Sequence, residues 1–261
     1  MRLEQGFFAV ALSASVALLS ACSVSGGSKI KGDDPATQRE DAARVNAELG
    51  QKYMQQGKLE LALEKLTRAL AVDPNYANAH TVIAVLYENI NDPAKAEEHY
   101  RRAAELKPKG GNELNNYGTF LCKLGRYDES QAYFDRALTD PFYKTPAVAL
   151  TNAGTCLLKA GKRDAAEASL RKALELRPDE SEALVQLASV LYDKGEYFKA
   201  RAFIQRFEAT AQSSRPDVLM LGRNIELRLG NGRAAGEYTR KLLQDFPESE
   251  QARALSVQSQ S

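Results

Sequence analysis

Small and apolar residues follow a pattern along the chain that is clearest between Ala43 and Tyr76. Two small residues in this stretch, Gly50 and Ala62, are flanked by apolar side chains, and Pro74 closes it. Small side chains allow two helices to approach closely, and a proline stops a helix because it lacks a backbone N–H. The pattern therefore predicts two packed helices joined by a turn.

The same pattern recurs along the rest of the chain. Both small positions advance by 34, 34, 36, 34 and 34 residues from one repeat to the next, and the excess lies in TDPFYKTPA, residues 139–147. These intervals predict a repeat domain over residues 35–255, with repeats near 43–76, 77–110, 111–144, 147–180, 181–214 and 215–248, and a frayed tail at 256–261. The two series are Gly50, Ala84, Gly118, Gly154, Ala188, Gly222 and Ala62, Ala96, Ser130, Ala166, Ala200, Ala234.

These offsets resemble the tetratricopeptide repeat (TPR), a helix–turn–helix unit of 34 residues. The resemblance implies an all-α fold, a right-handed superhelix of six TPR units. Such an array buries its apolar surface between neighbouring repeats rather than in one central core.

The chain before the repeats has a different composition. Phe7–Leu19 is an apolar run of 13 residues, which is too short to span a bilayer but fits the core of a secretory signal. Leu19-Ser20-Ala21-Cys22 resembles a bacterial lipobox, which implies a signal peptide at 1–21 and a lipid on Cys22. Ser23 after the cysteine implies sorting to the outer membrane, with the chain facing the periplasm. Residues 22–34 are predicted to be a flexible tether, because they are rich in glycine and serine.

Charge and residue types argue against several functions. The formal net charge is +1, from 35 basic and 34 acidic residues, without a basic block, so nucleic acid is not expected as a partner. We expect His80 to be a core residue, and His99 has no second histidine at metal-ligand spacing. The sequence therefore predicts a binding protein and no enzyme, with no metal, no cofactor and no small-molecule substrate.

Cys122 and Cys156 are predicted to be free thiols. They lie at positions 12 and 10 of the first helices of adjacent repeats. Packed helix axes are about 8–10 Å apart, whereas a disulfide usually requires Cα atoms within about 7 Å.

The first helices of TPR arrays line a groove through positions 2, 5, 9, 12 and 13, and this groove is the predicted binding site. Its residues here are mostly apolar or weakly polar, which suits an apolar or amphipathic segment. Ala47 and Gln51 stand where TPR co-chaperones carry the Lys and Asn that clamp a peptide carboxylate. An alternative is that single residues of the set only pack against neighbouring helices. The predicted partner-binding residues are Ala47, Gln51, Met54, Thr81, Val85, Thr119, Cys122, Leu158, Val185 and Tyr192.

Three segments, Leu114–Phe134, Glu182–Phe207 and Leu219–Pro247, resemble the type IV pilus biogenesis lipoproteins of the PilF/PilW group. The order of lipobox, tether and six repeats is also similar. The resemblance implies a pilotin, an outer-membrane lipoprotein that helps the pilus secretin to localise and to form its ring.

One other function remains open at this point, and a further class is set aside. The chain could be a TPR lipoprotein adaptor for another envelope complex, such as peptidoglycan enzymes or outer-membrane protein insertion. A hydrolase with added TPR units would need a catalytic domain, for which the chain has no room.

Overall fold

The computed structural model describes residues 34–210 and 214–258, with side chains up to residue 255. These residues form thirteen α-helices and no strand, which confirms the predicted all-α TPR fold. The lipobox, Cys22 and residues 23–33 of the tether lie outside the described residues. The helices are α1 (Pro35–Gln55), α2 (Leu59–Val72), α3 (Ala77–Asn89), α4 (Pro93–Leu106), α5 (Gly111–Lys123), α6 (Tyr127–Ala137), α7 (Pro146–Lys159), α8 (Arg163–Leu176), α9 (Ser181–Asp193), α10 (Tyr197–Thr210), α11 (Pro216–Arg228), α12 (Gly232–Asp245) and α13 (Glu250–Gln258).

Helices α1 to α12 form six consecutive pairs, and each pair is closed by a turn of the same kind. One residue in each turn has a positive φ, between 59° and 77°. Glycine adopts this conformation without steric cost, and asparagine tolerates it better than most residues. The turn residues are Gly57, Asn91, Gly125, Gly161, Gly195 and Gly230.

Close approach within a pair depends on the small positions, as the sequence predicts. A Cβ added to Gly50 would lie 2.5 Å from Cγ of Leu66 and 3.2 Å from the carbonyl oxygen of Ala62. Leu66 and Ala62 are both fully buried. The missing side chain of Gly50 is therefore what allows α1 and α2 to pack at this distance.

The last pair differs from the sequence prediction by one residue. The step from Gly195 to Gly230 is 35 residues, and the N–H of Ala235 bonds to the carbonyl of Asn231, as the N–H of Ala200 bonds to Glu196. Ala235 is buried, whereas Ala234 is only half-buried. The assignment of Ala234 to the second small position is therefore wrong, because α11 has 13 residues, as α9 has, but begins 35 residues after it and shifts the turn by one residue.

A thirteenth helix covers the last pair. Ala252 and Leu255 of α13 are buried in one cluster with Leu219 and Leu242. The helix continues to Gln258, three residues into the tail that was expected to be frayed. The C-terminal end of the array is thus closed by an added amphipathic helix.

Candidate functional site

The predicted groove residues fall into two groups in the structure. At positions 9 and 12 of the first helices, Gln51 and Val85 are exposed, and Met54, Thr119, Leu158 and Tyr192 are half-buried. We call these six residues the accessible lining. Four of the six are apolar or aromatic, and none carries a charge.

Position 5 does not belong to this lining, so its inclusion in the predicted site is corrected. In repeats 1–5 its side chains expose at most 8% of their surface, because position 5 faces the neighbouring helices. Ala47, for example, is part of the buried cluster that holds α1 to α3 together. The buried residues at position 5 are Ala47, Thr81, Asn115, Thr151 and Val185.

The prediction of free thiols is wrong. Cys122 and Cys156 form a disulfide with a Cα–Cα distance of 5.8 Å. Both are buried, so Cys122 offers a partner little surface and no thiol. The bond joins α5 to α7, the first helices of repeats 3 and 4.

The distance between helix axes was the wrong measure for this pair. Residues at position 12 of one first helix and position 10 of the next both lie in the seam between these helices, and here the two Cα atoms are closer together than packed helix axes usually are. At two other junctions of the array the same seam holds apolar side chains. Met54 packs against the cluster that contains Leu86, and Leu158 packs against the cluster that contains Val190. The disulfide replaces such a contact with a covalent bond.

Beside the disulfide, the groove face carries an uncharged polar network between α5 and α7. The Asn152 side-chain amide donates to Oδ1 of Asn115 at 3.0 Å and approaches Oγ1 of Thr119 at 3.4 Å. The Thr119 hydroxyl donates to the carbonyl of Asn115 at 2.9 Å. Thr119 therefore has partners within the protein already, and the apolar members of the lining are the better candidates for partner contacts.

Glu88 at position 12 of repeat 2 is the one carboxylate at positions 9 and 12 of repeats 1–5. Its oxygens accept hydrogen bonds from the Tyr100 hydroxyl at 2.5 Å and from the Lys123 ammonium at 2.7 Å. Burial and the neighbouring carboxylate raise the pKa of Tyr100 above its usual value, so the phenol stays protonated and donates. The charge of Glu88 is thus matched within the array.

The structure also pairs the two histidines, which the sequence analysis treated separately. His80 is buried, as predicted, and its Nδ1 lies 2.9 Å from Nδ1 of His99. Its Nε2 lies 3.1 Å from the carbonyl oxygen of Pro74. A carbonyl only accepts, so His80 carries its proton on Nε2, and His99 donates from Nδ1. In the described part of the chain, no group of three or more His, Cys, Asp or Glu side chains could hold a metal ion.

This pair should make stability depend on pH. Burial lowers the pKa of His80 and of His99, so the unfolded chain binds protons more readily than the folded one. The contribution of this pair to the free energy of unfolding is complete above the usual histidine pKa of about 6.5. It is lost progressively as the pH falls below that value. We expect the urea concentration at the unfolding midpoint to decrease as the pH is lowered from neutral to mildly acidic.

A matched variant distinguishes the pH dependence that the histidine pair causes from the pH dependence that carboxylates cause. His80→Asn cannot titrate, and its urea midpoint should depend less on pH than that of the wild type in this range. Equal pH dependence in the two proteins would show that the pair is not responsible.

Comparisons with known proteins extend over most of the array. Three tetratricopeptide repeat family profiles match residues 48–111, 113–179 and 157–225. The type IV pilus assembly protein PilF of Pseudomonas aeruginosa is 30% identical over 212 residues, which covers 81% of this chain and 83% of that protein.

Two solved structures resemble the fold. The crystal structure of PilW, described as a widely conserved type IV pilus biogenesis factor, has a TM-score of 0.75 and 35% identity, covering 82% of this chain and 97% of that one. The structure of Pseudomonas aeruginosa PilF has a TM-score of 0.76 and 28% identity, covering 85% of this chain and 99% of that one. In both cases the similarity spans nearly the whole solved chain.

Proposed function

Because the chain belongs to the tetratricopeptide repeat proteins of type IV pilus biogenesis, the group of PilF and PilW, we propose that it is an outer-membrane lipoprotein that binds the pilus secretin and promotes its localisation and multimerisation. The observation that carries the binding role is the accessible lining. Its apolar side chains, Met54, Val85, Leu158 and Tyr192, are partly open to solvent. A row of this kind suits an apolar or amphipathic segment of a partner.

The disulfide supports the proposed location. Disulfides form and persist in oxidising compartments such as the bacterial periplasm and are rare in the cytosol. The Cys122–Cys156 bond therefore agrees with export of the chain through the signal peptide proposed at 1–21. In the described residues, none of the helices combines the length and the apolar character that crossing a bilayer requires. Attachment in this proposal depends on the lipid at Cys22.

The mechanism we propose is confinement followed by capture. The acylated Cys22 holds the array at the inner leaflet of the outer membrane, and the tether of residues 23–34 lets the groove search nearby. Capturing an apolar segment of each secretin subunit shields that segment from water. It also raises the subunit concentration where the ring inserts. Binding and confinement suffice, and the step needs no source of energy.

A deletion strain tests the proposal directly. Without this chain, the secretin should still be made but should remain monomeric or reach the wrong membrane, and pili and twitching should be lost. The Cys22→Ser chain should fold, leave the membrane fraction and rescue poorly. If heat-stable secretin multimers accumulate normally in the outer membrane of the deletion strain, the pilotin role is excluded and the adaptor role becomes the better explanation.

Charges placed on the accessible lining should weaken partner binding. Val85→Glu and Met54→Glu would bury a carboxylate without a counter-charge when the partner binds, which is unfavourable. We expect less secretin crosslinked to the variant chains in intact cells, with the helical circular dichroism retained. Val85 gives the cleaner test, because it is 36% exposed.

Two control variants distinguish binding from folding. Leu61→Glu changes a residue of α2 that is 41% exposed but lies outside the lining, so crosslinking should be normal. Leu66→Ala removes a fully buried side chain and should lower stability clearly. If Val85→Glu lowers stability as Leu66→Ala does, Val85 is a core residue and not a partner contact.

A further inference from the structure

The segment between α6 and α7 presents a phenylalanine that does not contribute to the core. Phe142 exposes 87% of its surface, the largest fraction among the large hydrophobic side chains of the described residues. Pro141 and Lys144 beside it are also exposed, whereas Tyr143 is buried. Single exposed apolar residues are common on proteins, so exposure alone does not make Phe142 a binding residue.

The backbone around Phe142 is held firmly. Asp140 accepts the backbone N–H of Phe142 on Oδ1 at 2.9 Å and the N–H of Gly111, at the start of α5, on Oδ2 at 3.0 Å. The ring of Tyr143 packs on Gly111, where an added Cβ would lie 2.4 Å from its Cγ. One carboxylate and one buried ring thus fix this loop against the start of α5 in the same repeat. The backbone position of Phe142 is fixed before binding, so binding costs little backbone conformational entropy.

Basic side chains lie in the two segments that meet here. Lys107 and Lys109 lie in the loop before α5, and Lys144 lies two residues after Phe142. Arg136, in the last turn of α6, also contacts the loop before α5, because its Nη2 donates to the carbonyl of Pro108 at 3.3 Å. The three lysines are exposed and form no ion pair with any residue that the structure describes.

The nearby acidic residues do not cancel this charge. Residues 107–113 and 136–145 together contain four basic residues and two acidic ones, Glu113 and Asp140. Both oxygens of Asp140 already accept backbone hydrogen bonds. The surface around Phe142 therefore has an excess of positive charge.

We propose that Lys107, Lys109, Phe142 and Lys144, here called the basic loop surface, contact an anionic lipid surface, with the Phe142 ring in the headgroup region. Phenylalanine beside lysine is a typical composition of segments that lie at a membrane interface. Each basic side chain near the surface raises the affinity of a protein for an anionic membrane by about fivefold. Lysine is depleted at the cores of protein interfaces, so the three unpaired lysines favour lipid over a protein partner.

This contact orients the array at the membrane. It rests on the proposed function for its setting, because the lipid at Cys22 is what brings the domain to the bilayer. Once the chain is anchored, the effective concentration of the basic loop surface at the membrane is high, and a weak contact is enough to select one orientation. The loops between repeats 2, 3 and 4 would then face the lipid.

The experiment uses the absence of tryptophan from the chain. The lipidated full chain carrying Phe142→Trp is reconstituted into vesicles of phosphatidylglycerol and phosphatidylethanolamine. The single indole should emit at shorter wavelength than in solution and should be quenched by brominated lipids. Phe198→Trp is the matched control, since Phe198 is 71% exposed but lies at the start of α10, and its emission should remain that of an indole in water.

The lysines are tested in the unlipidated Cys22→Ser chain, which can hold vesicles only through its own surface. Its affinity for phosphatidylglycerol vesicles should fall about fivefold for each of the three lysines replaced by alanine. It should not bind vesicles of phosphatidylcholine alone.

Several results would overturn the proposal. These are a water-like indole at position 142 on anionic vesicles, equal shifts at positions 142 and 198, and vesicle affinity unchanged by the lysine substitutions. An indole that shifts only when the secretin is added would assign the surface to a protein partner instead. Secretin multimers, measured in cells that carry the same variants, report the proposed function separately. The failure of the lipid contact is therefore not mistaken for the failure of the secretin role.

Discussion

Reducing the Cys122–Cys156 disulfide should lower the free energy of unfolding by about 3–4 kcal/mol, because the bond closes a loop with a sequence separation of 34 residues in the unfolded chain. Urea unfolding of the Cys22→Ser chain with and without a reductant measures the difference. The Cys122→Ala, Cys156→Ala double variant should unfold near the reduced midpoint and should not respond to the reductant.

Thiol counting gives an independent test of the same bond. In the denatured but unreduced Cys22→Ser chain, neither Cys122 nor Cys156 should react with an alkylating reagent, and both should react after reduction. Two reactive thiols before reduction would mean that the bond does not form in the protein as produced. The expected loss of stability on reduction would then have no basis.

The loss should be concentrated at the junction of repeats 3 and 4. In a repeat array, stability is the sum of the terms for single repeats and for the interfaces between neighbours. The disulfide reinforces one such interface, the one between α5 and α7. Hydrogen exchange should therefore accelerate more in α5 to α8 than in α1 and α2 when the bond is reduced.

The helices and their pairing could be predicted because the required residue types are local. Gly50 and Ala62 are small since two helices cross there, and a periodic sequence reveals such a constraint many times over. The repeat at the C-terminus shows the limit of this reasoning. One additional residue before Gly230 moves the buried position from Ala234 to Ala235. Both residues are alanine, so a series of small residues does not reveal this shift.

Contacts between repeats were harder to predict. Sequence spacing places Cys122 and Cys156 on their helices, but it does not give the distance between the two helix backbones at these positions. The same lack of distance information hid the contact between His80 and His99. It also led to the assignment of Ala47, Thr81 and Val185 to an open groove, although they pack between helices. The proposed lipid at Cys22 lies outside the described residues and stays a prediction.

Phe142 shows a different kind of limit. Its sequence context, a proline on one side and a two-residue insertion in the repeat, marks an irregular loop. Nothing in that context shows that Asp140 accepts two backbone hydrogen bonds, or that Tyr143 rather than Phe142 is buried. Both depend on Gly111, which lies 31 residues before Phe142 in the sequence and meets the loop only in the folded array.

Phe134→Ala should lower the free energy of unfolding by about 3–5 kcal/mol, the usual cost of removing a buried phenylalanine ring. Phe134 is fully buried, and its ring carbon Cε1 lies 3.0 Å from the place where a Cβ on Gly118 would stand. The ring fills the space that the missing side chain leaves, and neighbouring helices cannot close it without moving α5 against α6. Phe198→Ala is the matched control and should change stability by less than about 0.5 kcal/mol, because this ring is largely exposed.

The two largest effects should not add. Phe134 lies in one buried cluster with Cys122, Ala153 and Cys156, so each change alters the surroundings of the other. Residues in contact usually show coupling energies of about 0.5–3 kcal/mol in double-mutant cycles. Urea unfolding of Phe134→Ala and of the wild type, each oxidised and reduced, gives this coupling energy. We expect reduction to lower the free energy of unfolding less in the variant than in the wild type. The cavity beside the bond already weakens the packing between repeats 3 and 4 in the variant. Strictly additive losses would show that the disulfide acts on the unfolded chain alone and does not support the packing of repeats 3 and 4.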